Sequence, residues 1–268
     1  MSTSTKPDPV LYDFREPGIA LITLNRPERL NAWNGELAAR YFELLDRAAA
    51  DPAVKVIVVT GAGKGFCAGA DMDTLQGIGA SSGGAGAESA AGGRPQHYTT
   101  TIPKPVIAAV NGACAGIGMV QALMCDIRFA AAGAKFTTAF ARRGLIAEYG
   151  ISWIMPRLIG TSRSLDLLLS GRVFLAEEAA AMGLVSEVVP PEHLVDRALE
   201  YAADLAVHSS PTSMRIMKEQ VYADQVRSVD EASTDAIELM KASLGRPDFR
   251  EGVASFLQKR PPQFQPLD

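Results

Sequence analysis

The stretch KPVIAAVNGACAGIGMVQALM, Lys104 to Met124, carries the plan of the fold. Pro103 and Pro105 bracket the entry to a continuous apolar run, Val106 to Val110, of the kind a strand buried on both faces requires. Asn111-Gly112 turns the chain, and a glycine-rich loop leads into a helix that runs through Met124. The same order stands earlier in the chain. Val56 to Thr60 is an apolar strand, Gly61 to Asp71 (GAGKGFCAGAD) is a glycine-rich loop, and Asp71 is placed to cap a following helix. One unit is therefore used twice, which predicts an α/β core.

Outward from these units, Ile19 to Leu24 reads as a strand closed by the turn signal Asn25-Arg26-Pro27. Between Glu36 and Ala50 the period changes, and Leu37, Tyr41, Leu44, Leu45 and Ala48 form one helical stripe. Ile127 to Ala130 is strand-like. From Ile151 onward helices dominate, broken at Gly160, Ser170-Gly171, Pro190-Pro191 and Pro211. The predicted organisation is a core over residues 1–190 and a helical C-terminal subdomain over 191–268. Gly77 to Gly93, GIGASSGGAGAESAAGG, is too small and flexible in composition to build a core, and reads as either a lid or an inert insertion.

Composition narrows the function. The chain of 268 residues is 47% hydrophobic and 21% charged, a globular balance, and 26 basic against 30 acidic side chains give a net −4. No basic excess exists to neutralise a nucleic-acid backbone or an anionic membrane, so neither is an expected partner. No apolar run approaches a membrane span. MSTSTKPDPV lacks the basic-then-apolar order of a signal peptide and reads as a short disordered tail. Cys67, Cys114 and Cys125 show no paired framework, which fits a reducing cytoplasm.

Several chemistries fail on their motifs. Lys64 is followed by Gly65 rather than Ser or Thr, so the P-loop pattern breaks, and Phe66 occupies the third glycine position of a dinucleotide fingerprint. His97, His193 and His208 are scattered, with no metal-ligand spacing. No GxSxG elbow is present. Cys67 is a candidate thiolate nucleophile, set against the usual inertness of buried cysteine. The two glycine-rich loops remain. Backbone amides converging from two loops can hold a developing oxyanion, each donor being worth about 2.7–4 kcal/mol in a transition state. The same glycines also serve tight turns and close packing, and spacing alone leaves both readings open.

LNRPERLNAW (Leu24 to Trp33), GKGFCAGADM (Gly63 to Met72), KPVIAAVNGACAGIG (Lys104 to Gly118) and MCDIRFAA (Met124 to Ala131) resemble the crotonase, or enoyl-CoA hydratase/isomerase, family. GRVFLAEEAAAMGLVSEVV (Gly171 to Val189) and RPDFREGVASFLQKRPPQF (Arg246 to Phe264) extend the resemblance over nearly the whole chain. It implies a spiral of ββα turns with a C-terminal helical trimerisation region, homotrimers or homohexamers, and an acyl-CoA thioester substrate. Coenzyme A is then part of the substrate, with no further cofactor and no metal. By resemblance the oxyanion-hole amides belong to Ala70 and to Ile117, where relatives commonly carry glycine. Arg29, Ala68, Asp71 and Met72 fall where relatives contact the CoA nucleotide, and Lys259 matches a position that can meet CoA phosphates. A lysine often seen shortly after the GAD motif is Asp73 here.

The pattern breaks at the two glutamates that hydratases of the family use. Their positions hold Val120 and Phe140, neither of which exchanges a proton. Glu148 instead stands where dienoyl-CoA isomerases and a ring-isomerising branch resemble it with aspartate. The resemblance thus favours double-bond isomerisation with Glu148 as single base. Hydration or C–C cleavage of an atypical enoyl-CoA, and a non-catalytic acyl-CoA-binding trimeric scaffold, are the alternatives. Glu148 also sits just before a helix, so a plain helix-start carboxylate is the bland reading. Tyr149, Arg142 and Arg143 receive no catalytic role.

Overall fold

A computed structural model describes residues 7–73, 76 and 92–267. Of the glycine-rich segment 77–93, only Gly92 and Gly93 fall among them, so its predicted role as a lid lies outside the described residues. Among the described residues, ten strands form two sheets. The larger has the order β1-β2-β3-β5-β7-β10, made of Val10–Arg15, Ile19–Leu24, Val56–Gly61, Val106–Val110, Ile127–Ala131 and Glu187–Val189. The smaller, β4-β6-β8-β9, is made of Gly65–Cys67, Ala113–Ala115, Lys135–Thr137 and Phe174–Leu175.

The chain alternates between the two sheets. β3 feeds β4, β5 feeds β6, and β7 feeds β8. Because β3, β5 and β7 pair in parallel within one sheet, and β4, β6 and β8 do so within the other, each turn of chain advances one strand in both. This is the ββα spiral. Val56 to Val59 and Val106 to Val110 are fully buried, as their unbroken apolar sequences require. The β4, β6, β8 and β9 strands lie in stretches the sequence reading treated as loops or left unassigned. Two or three residues are too few to display a period of two.

Helix α1 (Gly35–Ala50) buries the predicted stripe Leu37, Tyr41, Leu44, Leu45 and Ala48, and Asn34 caps its N-terminus by accepting from Leu37 N at 2.9 Å. Helix α2 (Ile117–Met124) follows β6 and is buried on every side. It is the central helix of the core. Then come α3 (Ile151–Ile159), α4 (Thr161–Ser170), α5 (Ala176–Met182) and α6 (Leu194–His208). Leu194, Ala198, Ala202 and Ala206 of α6 are buried, and the helix lies across β2, β3, β5 and β7. Three last helices, α7 (Pro211–Asp224), α8 (Val229–Leu244) and α9 (Pro247–Gln258), keep many apolar side chains exposed.

The predicted disordered tail, Met1 to Val10, is corrected at its described end. Val10 is fully buried in β1, and the Asp8 carboxylate pairs with Arg40 at 2.8 Å. The alternation that begins at Val10 was hidden behind the polar run before it.

Candidate active site

Both glycine-rich loops end in the same local arrangement. Gly69 has φ +112° and Gly116 has φ +50°, conformations that L side chains rarely adopt, and each is followed directly by a candidate amide donor, Ala70 or Ile117. The two glycines lie side by side. A Cβ placed on Gly116 would stand 4.0 Å from Gly69 Cα, and one on Gly69 would stand 3.4 Å from the Ala115 carbonyl oxygen. Closer still is Gly118, whose hypothetical Cβ would overlap the Cys67 carbonyl oxygen at 2.1 Å. The first turn of α2 is therefore seated directly on the first loop.

Ala70 forms an isolated parallel bridge with Trp33. Its two hydrogen bonds run from Trp33 N to Gly69 O at 2.8 Å and from Asp71 N to Trp33 O at 2.9 Å. Both flank Ala70 and leave its own N–H out of the pairing. Ile117 is the first residue of α2, and the first intrahelical bond of that helix runs from Val120 N to Gly116 O. The Ile117 N–H is thus one of the orphan donors at the positive end of a helix. The amides of Ala70 and Ile117 are thus both left out of the backbone pairing on adjoining loops, as donors to an oxyanion would have to be.

The segment that carries Glu148 is anchored near both ends of α2. Leu145 N donates to Phe140 O at 3.0 Å, and the Phe140 ring comes within 4.0 Å of the Cβ position of Gly116. At the other end of the Glu148 segment, Gly150 packs on Met124, the last residue of α2. Glu148 is half-buried, and among the described residues none donates a hydrogen bond to its carboxylate. Burial pushes its carboxyl above the ordinary carboxylate value. Its backbone carbonyl, not its side chain, accepts from Ile151 N at the start of α3. Val120 and Phe140 are buried, as is every residue of α2.

The remaining predicted residues fall into two places. Arg29, Ala68, Asp71 and Met72 line the first loop, with Arg29 and Met72 exposed. Ala68 N is bonded to Leu30 O. The Asp71 carboxylate is committed inside the protein: it pairs with Arg26 at 2.7 Å and caps Asp73 N at 3.2 Å. Burial alone would raise its pKa, but the Arg26 guanidinium outweighs that and holds it below the usual range. Lys259 is exposed at the C-terminal cap of α9, in the helical tail and apart from the loop residues. The candidate nucleophile Cys67 is fully buried, and desolvation pushes its thiol up to about 12, so it is no thiolate at neutral pH.

Three positioning residues were not picked out from the sequence. Arg26 holds Asp71 and also donates to Ala32 O at 2.6 Å. Asn31, fully buried, donates to Ala62 O and Gly65 O. Asn111 accepts from Gly61 N and donates to Gly63 O and Gly65 O, so the turn of the second unit ties down the loop of the first.

Comparison with known proteins shows the family. The family model described as enoyl-CoA hydratase/isomerase matches residues 15–266. The chain is 38% identical over 257 residues to 1,2-epoxyphenylacetyl-CoA isomerase of Escherichia coli (strain K12), covering 93% of this chain and 95% of that one. It is 37% identical over 249 residues to enoyl-CoA hydratase ACTT3 of Alternaria alternata, covering 92% and 83%. Among solved structures, the enoyl-CoA hydratase EchA12_1 of Mycobacterium marinum is 57% identical, with a TM-score of 0.70 over 82% of this chain and all of that one. No helix among the described residues is long and apolar enough to cross a membrane.

Proposed function

We propose that this chain, which belongs to the enoyl-CoA hydratase/isomerase family, shifts the double bond of an unsaturated acyl-CoA with Glu148 as its single acid–base group. The carrying observation is the contrast between Glu148, a half-buried carboxylate with a raised pKa, and the aprotic Val120 and Phe140. Glu148 removes a proton from carbon next to the conjugated system. The electron pair passes to the thioester oxygen, which the N–H groups of Ala70 and Ile117 stabilise, and the glutamic acid returns the proton at the far end of the dienolate. Atoms balance without added water. On this reading CoA belongs to the substrate, the reaction needs no metal or redox cofactor, and the enzyme works in a reducing cytoplasm. The loop residues Arg29, Ala68, Asp71 and Met72 meet the CoA nucleotide, Asp71 through its backbone, and Lys259 meets a phosphate. The exposed apolar side chains of α7–α9, Phe256 and Val229 among them, are covered in a homotrimer or homohexamer.

Product analysis on 2-enoyl, 3-enoyl and ring-unsaturated CoA thioesters tests the assignment. The expected product has a moved double bond; a 3-hydroxyacyl product overturns it. Glu148→Gln is expected to lower turnover by about 10²–10⁴-fold while leaving CoA affinity nearly intact. Since the base works ionised, activity should fall as acid protonates Glu148, with a midpoint above the ordinary carboxylate value, and this limb should vanish in the variant. Hydration or C–C cleavage is the second reading, favoured by the hydratase names among relatives at nearly the same identity as the isomerase. Wild type that binds acyl-CoA but exchanges no α- or γ-proton with deuterated water identifies a non-catalytic scaffold.

A further inference from the structure

Two buried polar atoms on the residues that neighbour the amide donors, one on α2 and one bridged to Ala70, have no hydrogen-bond partner among the described residues. Gln121 is only 2% exposed, and its Nε2 donates to Gln96 Oε1 at 2.6 Å and to Gln96 O at 3.4 Å. Those bonds fix which way the carboxamide faces, and they leave Gln121 Oε1 buried without a hydrogen bond. Trp33, the residue bridged to Ala70, likewise buries an Nε1–H that no group among the described residues accepts. Native interiors seldom leave such atoms unpaired.

Gln121 is four residues along α2 from Ile117, so the two share one face of the helix, and a helical side chain leans back over the turn before it. The unpaired oxygen therefore lies on the turn of α2 that carries the Ile117 amide. One residue earlier, Val120 shares this face at three-residue spacing and offers no polar contact. A carbonyl oxygen rejects a carboxylate, and no described side chain at this spot supplies the counter-charge an ammonium group needs. A neutral donor is what it fits.

Resting on the acyl-CoA reading above, we propose that Gln121 is a specificity-determining residue, its Oε1 accepting a hydrogen bond from a hydroxyl on the acyl group beyond the reacting carbons. An acyl group without that hydroxyl leaves the carbonyl desolvated and unpaired, which is how a polar site rejects an otherwise similar substrate.

The test uses saturated thioesters, so binding is measured apart from chemistry. Hexanoyl-CoA and its 4-, 5- and 6-hydroxy derivatives are titrated calorimetrically into wild type, Gln121→Leu and the nearly isosteric Gln121→Met. Wild type is expected to bind one hydroxylated thioester about 10- to 100-fold more tightly than hexanoyl-CoA. Both variants should lose that preference while holding hexanoyl-CoA at least as well. Equal affinity of wild type for all four thioesters overturns the proposal, as does a preference that survives both substitutions. Should neither variant fold, the wild-type comparison alone decides. Failure of wild type to isomerise any enoyl-CoA overturns the reaction assigned above but leaves this binding result standing, so the two failures are distinguishable.

Discussion

The two loops that carry Ala70 and Ile117 each place a positive-φ glycine before the candidate donor but are held by different forces. The first is tied by polar side chains: Asn31 and Asn111 bond the peptide groups of Gly61 to Gly65, and Arg26 grips Asp71 just past the donor. Among the described residues, no side chain hydrogen-bonds residues 112–118. That loop is set by strand pairing of β6 between β4 and β8, by the helix it begins, and by Gly112 and Gly118, which have no room for a methyl group. A loop held by hydrogen bonds and charge can be weakened by degrees. One held by fit is intact or displaced.

The largest effect is therefore expected at Gly118. A Gly118→Ala methyl would overlap a backbone oxygen rather than a movable side chain, so α2 must lift off the first loop. We expect a stability loss above about 4 kcal/mol, the range of severe core failures, or loss of soluble protein, read by denaturant unfolding. Tolerance of that methyl would show that the second loop is not sterically set. Next comes Asp71→Asn, which leaves Arg26 buried without its counter-charge and should cost about 3 kcal/mol. It carries a pH signature. Because the folded pKa of Asp71 is depressed, its ion-pair contribution is complete above the unfolded value of 3.8 and is lost as pH falls through the lower folded value. The variant should lack that part of the acid transition, whereas a pH-insensitive first loop would erase the distinction between the loops.

Asn111→Ala removes three hydrogen bonds from the first loop and should cost about 1–3 kcal/mol, with kcat reduced more than the affinity for CoA. An effect on affinity alone would mean that Asn111 does not govern the Ala70 amide. The smallest effect is chemical. Cys67 and Cys114 lie on the paired strands beneath the loops, and with Cys125 all three are buried with pKa values pushed up. Native protein should label with a thiol reagent only as it unfolds, and Gly118→Ala should label faster than Asp71→Asn.

How far the sequence discloses this molecule depends on the range of each interaction. The buried strands β3 and β5 and the stripe of α1 are written in consecutive or periodic side chains, so they can be read directly. The small sheet cannot, because its strands are two or three residues long and its pairing is a matter of backbone alone. Gly69 and Gly116 were visible as glycines, but the amides after them acquired a meaning only through family resemblance. The Arg26–Asp71 pair spans 45 residues, and Asn31 and Asn111 work through carbonyls that have no sequence signature. Glu148 too was singled out through family resemblance, and that no described residue donates to its carboxylate required coordinates.

On the proposed isomerase reading, Val120 and Phe140 supply no proton donor, and this has a stereochemical consequence. With one group both withdrawing and restoring hydrogen, the transfer would be suprafacial: the atom would leave and re-enter on the same face of the planar dienolate. Isotopic label at the departing carbon should then reappear in part at the receiving one.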